Sequence, residues 1–277
     1  MLRLATVAVL LATGFAQGAT PVKFVDHVMF TGGVELSGLV TLLRDKFELP
    51  VMFDGPAETP PMPGTCFSLG NLCLEVVPVR PEPNEPATRT GGIGNLALAA
   101  DFATVVDALR ARNIEHFPPA PQARWTTIGL RGLGIGFFIE YHDGMERRRT
   151  RFRDELERRR GGALGVVRVI EVSKRSQQVA DVRPAWRRLL GDPVAGDADV
   201  WRVEDGLAIR LVGPDDPRAN RLVVAVKSLD AAEAALRRLS IPHQRLDGGV
   251  QIDRKALYGL EVMLLQPSRA EQTPDTI

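Results

Sequence analysis

Residues 64 to 79 read GTCFSLGNLCLEVVPV, and this stretch sets both the fold and the first functional question. Gly70-Asn71 is the turn pair of a tight hairpin, with Cys66-Phe67-Ser68-Leu69 on one side and Leu72-Cys73-Leu74-Glu75-Val76-Val77 on the other. If Leu69 pairs with Leu72, alternation puts Phe67, Leu72, Leu74 and Val76 on one face of the sheet. Cys66, Ser68, Cys73 and Glu75 then share the other. The hairpin thus has an apolar face for a core and a small polar face carrying an acid. A strand needs no carboxylate there, and the plainest account of Glu75 is an ordinary solvated surface residue.

Working outward, the hairpin closes the first of four similar units, each a strand, an amphipathic helix and further strands separated by Gly/Pro loops. Unit one opens at Phe24-Val25-Asp26-His27-Val28-Met29-Phe30 and passes through a helix from about Val34 to Phe47. Unit two opens at Asn95-Leu96-Ala97-Leu98, has a helix capped by Asp101, and ends at Gly136-Phe137-Phe138-Ile139-Glu140-Tyr141. Unit three opens at Val167-Arg168-Val169-Ile170, has a helix ending at Gly191, and closes at Gly206 to Leu211. Unit four opens at Leu222 to Val226, carries Asp230 and Glu233 at capping-box spacing, and ends at Glu261 to Leu265. Leu96 to His116 aligns without a gap on Val223 to His243, with Ala108, Leu109, Arg110, Ile114 and His116 recurring as Ala235, Leu236, Arg237, Ile241 and His243. Duplication accounts for that match. The expected class is α+β, four βαβββ units paired into two barrel-shaped domains.

The chain has 277 residues with 35 Lys+Arg against 34 Asp+Glu, so its formal charge of +1 offers no global attraction to nucleic acid or an anionic membrane. Residues 1–18 read as a signal peptide, with an apolar run from Leu4 to Ala16 and small residues Ala16 and Gly18 before a cleavage point. Periplasmic or secreted localisation follows, and no later apolar stretch approaches membrane length. The first domain is expected over 22–145 and the second over 163–267, with a tail over 268–277. Between them, residues 146–162 form an Arg-rich linker, part helical, in which residues 146 to 160 hold eight Arg against four acids. The interleaved acids and scarce aromatic residues argue against an RNA-binding arm. Cys66 and Cys73 fall at diagonal positions across the hairpin, a placement expected to leave them unbonded.

Strand, helix and three strands, four times in two pairs, resembles the vicinal oxygen chelate superfamily, and in detail its glyoxalase-like members. The resemblance rests on Asp26-His27-Val28, Gly64-Thr65, Gly70 through Glu75, and Phe137-Phe138-Ile139-Glu140, and it spans Val22 to Gln266. In that family paired units curl round a cavity and hold a divalent metal on inward-facing residues of their first and last strands. Carried over by position, the resemblance implies His27, Glu75, Asn95 and Glu140 as metal ligands, with zinc, iron, manganese or nickel as the metal. It also implies Glu75 or Glu140 as the catalytic general base. Asn95 departs from the family, whose active members commonly have His there. His142, two residues past Glu140, could substitute, or be a plain turn residue. For His27 a hydrogen-bonded histidine without metal is the structural alternative. In the second domain the matching positions are Arg168, Arg210, Leu222 and Met263, no usual ligand set, which implies a structural copy or an anion pocket at Arg168 and Arg210.

Other chemistry is absent from the sequence. Gly132, Gly134 and Gly136 lead into a strand, so they form no phosphate cradle, and there is no nucleophile elbow, CxxC or HExxH. Two functions therefore remain: an exported metal-dependent lyase, isomerase or dioxygenase acting on a small substrate with vicinal oxygens, or a non-catalytic protein that binds or sequesters a small molecule.

Overall fold

The computed structural model describes residues 20–54, 64–79 and 91–267. The signal-peptide and tail assignments lie outside the described residues. Unit one comprises β1 (Phe24–Gly32), α1 (Leu36–Thr41), β2 (Val51–Asp54), β3 (Thr65–Ser68) and β4 (Cys73–Pro78). Helix α1 runs on into a π-helical turn at Leu42–Lys46, so the helix expected over 34–47 is present with a widened last turn. Unit two comprises β5 (Gly92–Ala99), α2 (Phe102–Ala111), β6 (Ala120–Pro121), β7 (Trp125–Gly129) and β8 (Gly136–Tyr141). The expected cap of α2 forms, with the Asp101 side chain accepting from the Ala103 amide. Helix α3 (Met145–Arg158) follows.

Unit three comprises β9 (Val166–Arg175), α4 (Val179–Leu190), β10 (Val200–Arg202) and β11 (Ala208–Val212), one strand short of the expected pattern. Unit four comprises β12 (Arg221–Val226), α5 (Leu229–Arg238), β13 (His243–Leu246), β14 (Gly249–Ile252) and β15 (Glu261–Leu265). Its expected capping box is not formed by Asp230. Ser228 caps α5 by accepting from the Ala231 amide, and Asp230 and Glu233 instead hold Arg245.

The strands form an eight-stranded sheet, β2-β3-β4-β1-β5-β8-β7-β6, and a seven-stranded sheet, β10-β11-β9-β12-β15-β14-β13. Each is built about an antiparallel central pair, β1 with β5 and β9 with β12. Each central strand has a parallel neighbour from the end of its own unit: β4, β8, β11 and β15. Parallel neighbours need a crossover, and the intervening helix supplies it. The opening hairpin pairs Ser68 with Cys73 and Cys66 with Glu75, the alternation read from the sequence.

The apolar faces of both sheets meet in one core, where Phe30, Leu36, Leu39 and Leu74 share a cluster with Leu222, Val224, Leu257 and Leu264. A cavity of about 30 Å³ remains there, lined by apolar residues, too small for a ligand beyond a water molecule. Polar groups pin the sheets together. Asn71 donates to the Val169 carbonyl at 3.0 Å and accepts from its amide at 2.9 Å, and Asn220 accepts from the Ile93 amide at 2.9 Å. The face of the first sheet turned away from this core carries His27, Cys73 and Glu75.

Candidate functional site

On the far face of the first sheet, β1 carries a register shift between Val25 and His27. The irregularity brings the consecutive side chains of Asp26 and His27 together, with Nδ1 of His27 2.8 Å from Oδ2 of Asp26. Both are buried. With Nδ1 engaged, Nε2 points to β4, where Oε2 of Glu75 stands 3.3 Å away. Register explains the meeting: His27 lies beside Cys73 on the parallel strand, and Glu75 follows two residues later on the same face. Glu75 is the more accessible partner, its side chain 20% exposed against 7% for His27. Gly64 leaves room for it, since a Cβ there would run into the carboxylate. The Phe137 ring meets the imidazole edge-on at 5.8 Å.

Helix α3 covers this face. Phe152 is buried with Met52, Cys66 and Cys73, and its carbonyl accepts from the Ser68 hydroxyl at 2.6 Å. One turn earlier Arg148 brings Nε to 3.2 Å from Oδ1 of Asp26, and its guanidinium lies 4.1 Å from the centre of the Tyr141 ring. The charge on buried Asp26 is thereby balanced. Burial, reinforced by Asp26, pushes the Tyr141 hydroxyl well above the usual phenol range, so it stays protonated. The segment expected as a part-helical linker is helical over Met145–Arg158, with Phe152 and Leu156 buried.

The structure brings His27 and Glu75 together and leaves the other expected ligands elsewhere. Phe137 faces His27, so alternation turns Glu140 to the opposite face, where Oε1 accepts from the Phe102 amide at the start of α2 at 3.3 Å. Asn95 is exposed, beyond Met29 from Glu75. His142 is an exposed residue 3.2 Å from the Thr126 hydroxyl. Among the described residues no three His, Cys, Asp or Glu side chains converge as they would on a metal ion. Two donors at His27 and Glu75 do not fit the four-donor set the resemblance implies. Cys66 and Cys73, expected to stay apart, are disulfide-linked on the same face, their Cα atoms 5.8 Å apart. They lie diagonally across the β3–β4 ladder, where Cys66 pairs with Glu75 and Ser68 with Cys73.

The second sheet differs. Arg210 is held bidentately by Glu171, at 2.9 and 3.1 Å, and by Asp197 at 2.7 Å, so it is not free for an external anion. Hydrogen bonding from Arg210 in turn lowers the Asp197 carboxyl. Leu222 faces the shared core instead of the far face, and the neighbouring Glu261 is paired with Arg221. The anion pocket expected at Arg168 and Arg210 is not supported. A surface depression of about 380 Å³ lies between Arg110, Asn113, His116 and Arg131, none of them part of the His27 face.

Sequence reasoning missed Asp26, Tyr141 and Arg148. Asp26 lay in plain view beside His27, but only the strand irregularity makes them partners. Arg148 was hidden among seven other arginines of the same run.

Paired units on antiparallel central strands define a class of architecture, and comparison identifies it. No protein-family model and no curated protein matches the sequence. Among solved structures, the 2,3-dioxygenase LapB from Pseudomonas sp. KL28 matches with a TM-score of 0.60 at 12% identity, over 92% of this chain and 96% of that one. A mutant of homoprotocatechuate 2,3-dioxygenase from Brevibacterium fuscum matches with a TM-score of 0.58 at 14% identity, over 94% and 76%. A mutant of 4-hydroxymandelate synthase from Streptomyces coelicolor matches with a TM-score of 0.56 at 14% identity, over 90% and 93%. The chain therefore has the vicinal oxygen chelate fold. At such identities the likeness concerns the fold alone.

Proposed function

We propose that this chain binds a small molecule with neighbouring oxygens on the far face of its first sheet, anchored by Glu75 and His27, without a resident divalent metal. The observation that carries this reading is the 3.3 Å approach of His27 Nε2 to Glu75 Oε2 while Glu140 is committed to α2. A carboxylate accepts two hydroxyl protons at once, and a neutral imidazole beside it offers a third acceptor or, protonated, a donor. Asp26 fixes which imidazole nitrogen faces the ligand. Access runs past Glu75, the more accessible member of the pair. Binding belongs to an exported protein in this reading, its mature chain starting near Ala19, which the N-terminal mass from the native host would check.

Calorimetric titration of the full chain, purified without chelator or reductant, tests the reading with homoprotocatechuate and simple vicinal diols as probes. Saturable one-site binding, weakened at least about tenfold in Glu75→Gln, is expected from loss of a charge-assisted contact. Stoichiometric divalent metal in the same preparation, lost in His27→Ala, would replace this reading with the metal-dependent lyase or dioxygenase.

A further inference from the structure

Units two and four leave their helices through the same turn. His116 Nδ1 lies 3.0 Å from the Ile114 carbonyl, and His243 Nδ1 lies 2.7 Å from the Ile241 carbonyl. A carbonyl only accepts, so Nδ1 carries the proton in both rings and Nε2 is the nitrogen left for another partner. Each histidine then pairs with a later residue, Leu130 or Ile252, and the amide that follows, of Arg131 or Asp253, donates to the Glu115 or Pro242 carbonyl at 3.0 or 2.8 Å. Arg131 and Asp253 are therefore equivalent positions. In unit four the partner is a carboxylate of the chain itself: Glu233 accepts from Arg237 at 2.6 Å and from Arg245 at 2.8 Å, with His243 Nε2 4.0 Å away. Unit two keeps the arginine and the histidine as Arg110 and His116, but it has Val106 where Glu233 stands and Arg131 where Asp253 stands.

We propose that the depression of about 380 Å³ lined by Arg110, His116 and Arg131 binds a small monocarboxylate, which takes the place that the Glu233 side chain fills in unit four. A depression of that volume holds a small organic ligand. Among the described residues no carboxylate pairs with Arg131, whose guanidinium lies 4.1 Å from the centre of the Phe117 ring. That stack fixes the plane of a fork suited to a carboxylate. Arg110 is paired only with Asp107, at 3.1 Å between side chains 69% and 83% exposed, a contact weak enough to be exchanged for a ligand. His116 Nε2, once protonated, adds a third donor. Phe117, 49% exposed, offers an apolar wall for the body of the ligand. Glu115, also on the rim, opposes a second negative charge and so selects monoanions over dianions. None of these residues belongs to the His27 face, so the site stands independently of the diol reading.

The test is NMR titration of the histidine ring signals of the full chain with phenylacetate, which carries a carboxylate and no vicinal diol, the His116 signal being assigned with His116→Gln. A saturable shift at His116 and none at His243, with a dissociation constant on the order of 1 mM or tighter, is the expected result. Val106→Glu, which restores the carboxylate of unit four, should weaken binding at least about tenfold, and Arg131→Gln should do the same through loss of a charge-assisted contact. Glu115→Gln should tighten it. No saturable shift at His116 overturns the proposal, as does undiminished binding in Val106→Glu or, should that variant not fold, in Arg131→Gln. Tighter binding of inorganic phosphate than of phenylacetate overturns the carboxylate assignment, and loss of binding in Glu75→Gln would move the ligand to the His27 face and overturn the site.

Discussion

Nε of Arg148 stands 3.2 Å from Oδ1 of Asp26, joining a helix outside the repeated units to the first strand of the chain. Asp26 is almost fully buried, its side chain 1% exposed. Removing one partner of a buried pair leaves the other charge uncompensated, which costs about 3–5 kcal/mol. Because His27 also contacts this carboxylate, Arg148→Met should lie near the lower end, about 3 kcal/mol, in urea denaturation. The Asp26→Asn/Arg148→Met double variant should recover part of that loss. A cost below about 0.5 kcal/mol in the single variant would show that the pair behaves as a surface ion pair.

Glu140 separates the metal expectation from the observed geometry. With Oε1 on the Phe102 amide it serves the N-terminus of α2. Glu140→Gln keeps an acceptor oxygen and loses the charge, so stability should fall by about 0.3–1 kcal/mol. Probe binding should be unchanged, in contrast with Glu75→Gln. Equal loss of binding in the two variants would return Glu140 to the site.

Lys174 gives the chain a pH signature. Burial, with a smaller push from Arg175, lowers its amine from 10.5 to about 8, and Nζ donates to the Ile93 carbonyl at 3.3 Å. Between pH 8 and 10.5 the unfolded chain holds a proton the folded chain has released, so this group makes stability rise with pH across that window. Below pH 8 both states are protonated and the burial cost, on the order of 3 kcal/mol, is fully present. Lys174→Met should stabilise the protein at neutral pH and flatten the alkaline rise, as read by thermal midpoints across pH. An unchanged slope would show that the amine is not the group titrating.

Helix α3 alters where the chain should be cut between its sheets. Within residues 145–162, Arg148 and Arg149 are held by Asp26 and Asp205, while Arg159 and Arg160 follow the helix end and are exposed. Limited trypsin digestion should therefore cleave this segment first after Arg159 or Arg160. Early cleavage after Arg148 or Arg149 instead would mean that the helix does not hold its seat on the first sheet.

The sequence determined the repeated units, their helices and the two faces of the opening hairpin. Those features are local: alternation sends Phe67 and Leu74 one way and Glu75 the other whatever lies across the sheet. The family resemblance alone put His27 and Glu75 in one site, and their 3.3 Å approach depends on the parallel pairing of β1 with β4, which the structure supplies. What the sequence left open depended on partners far along the chain or on local irregularities. Alternation along β8 was visible, but its direction was not, and one step of phase decides whether Glu140 meets His27 or α2. The charged segment after unit two read as a spacer because its two buried residues, Phe152 and Leu156, are outnumbered by arginines. Only the assembled sheet supplies the surface on which that narrow apolar stripe is buried, and only there does Arg148 find Asp26, 122 residues earlier.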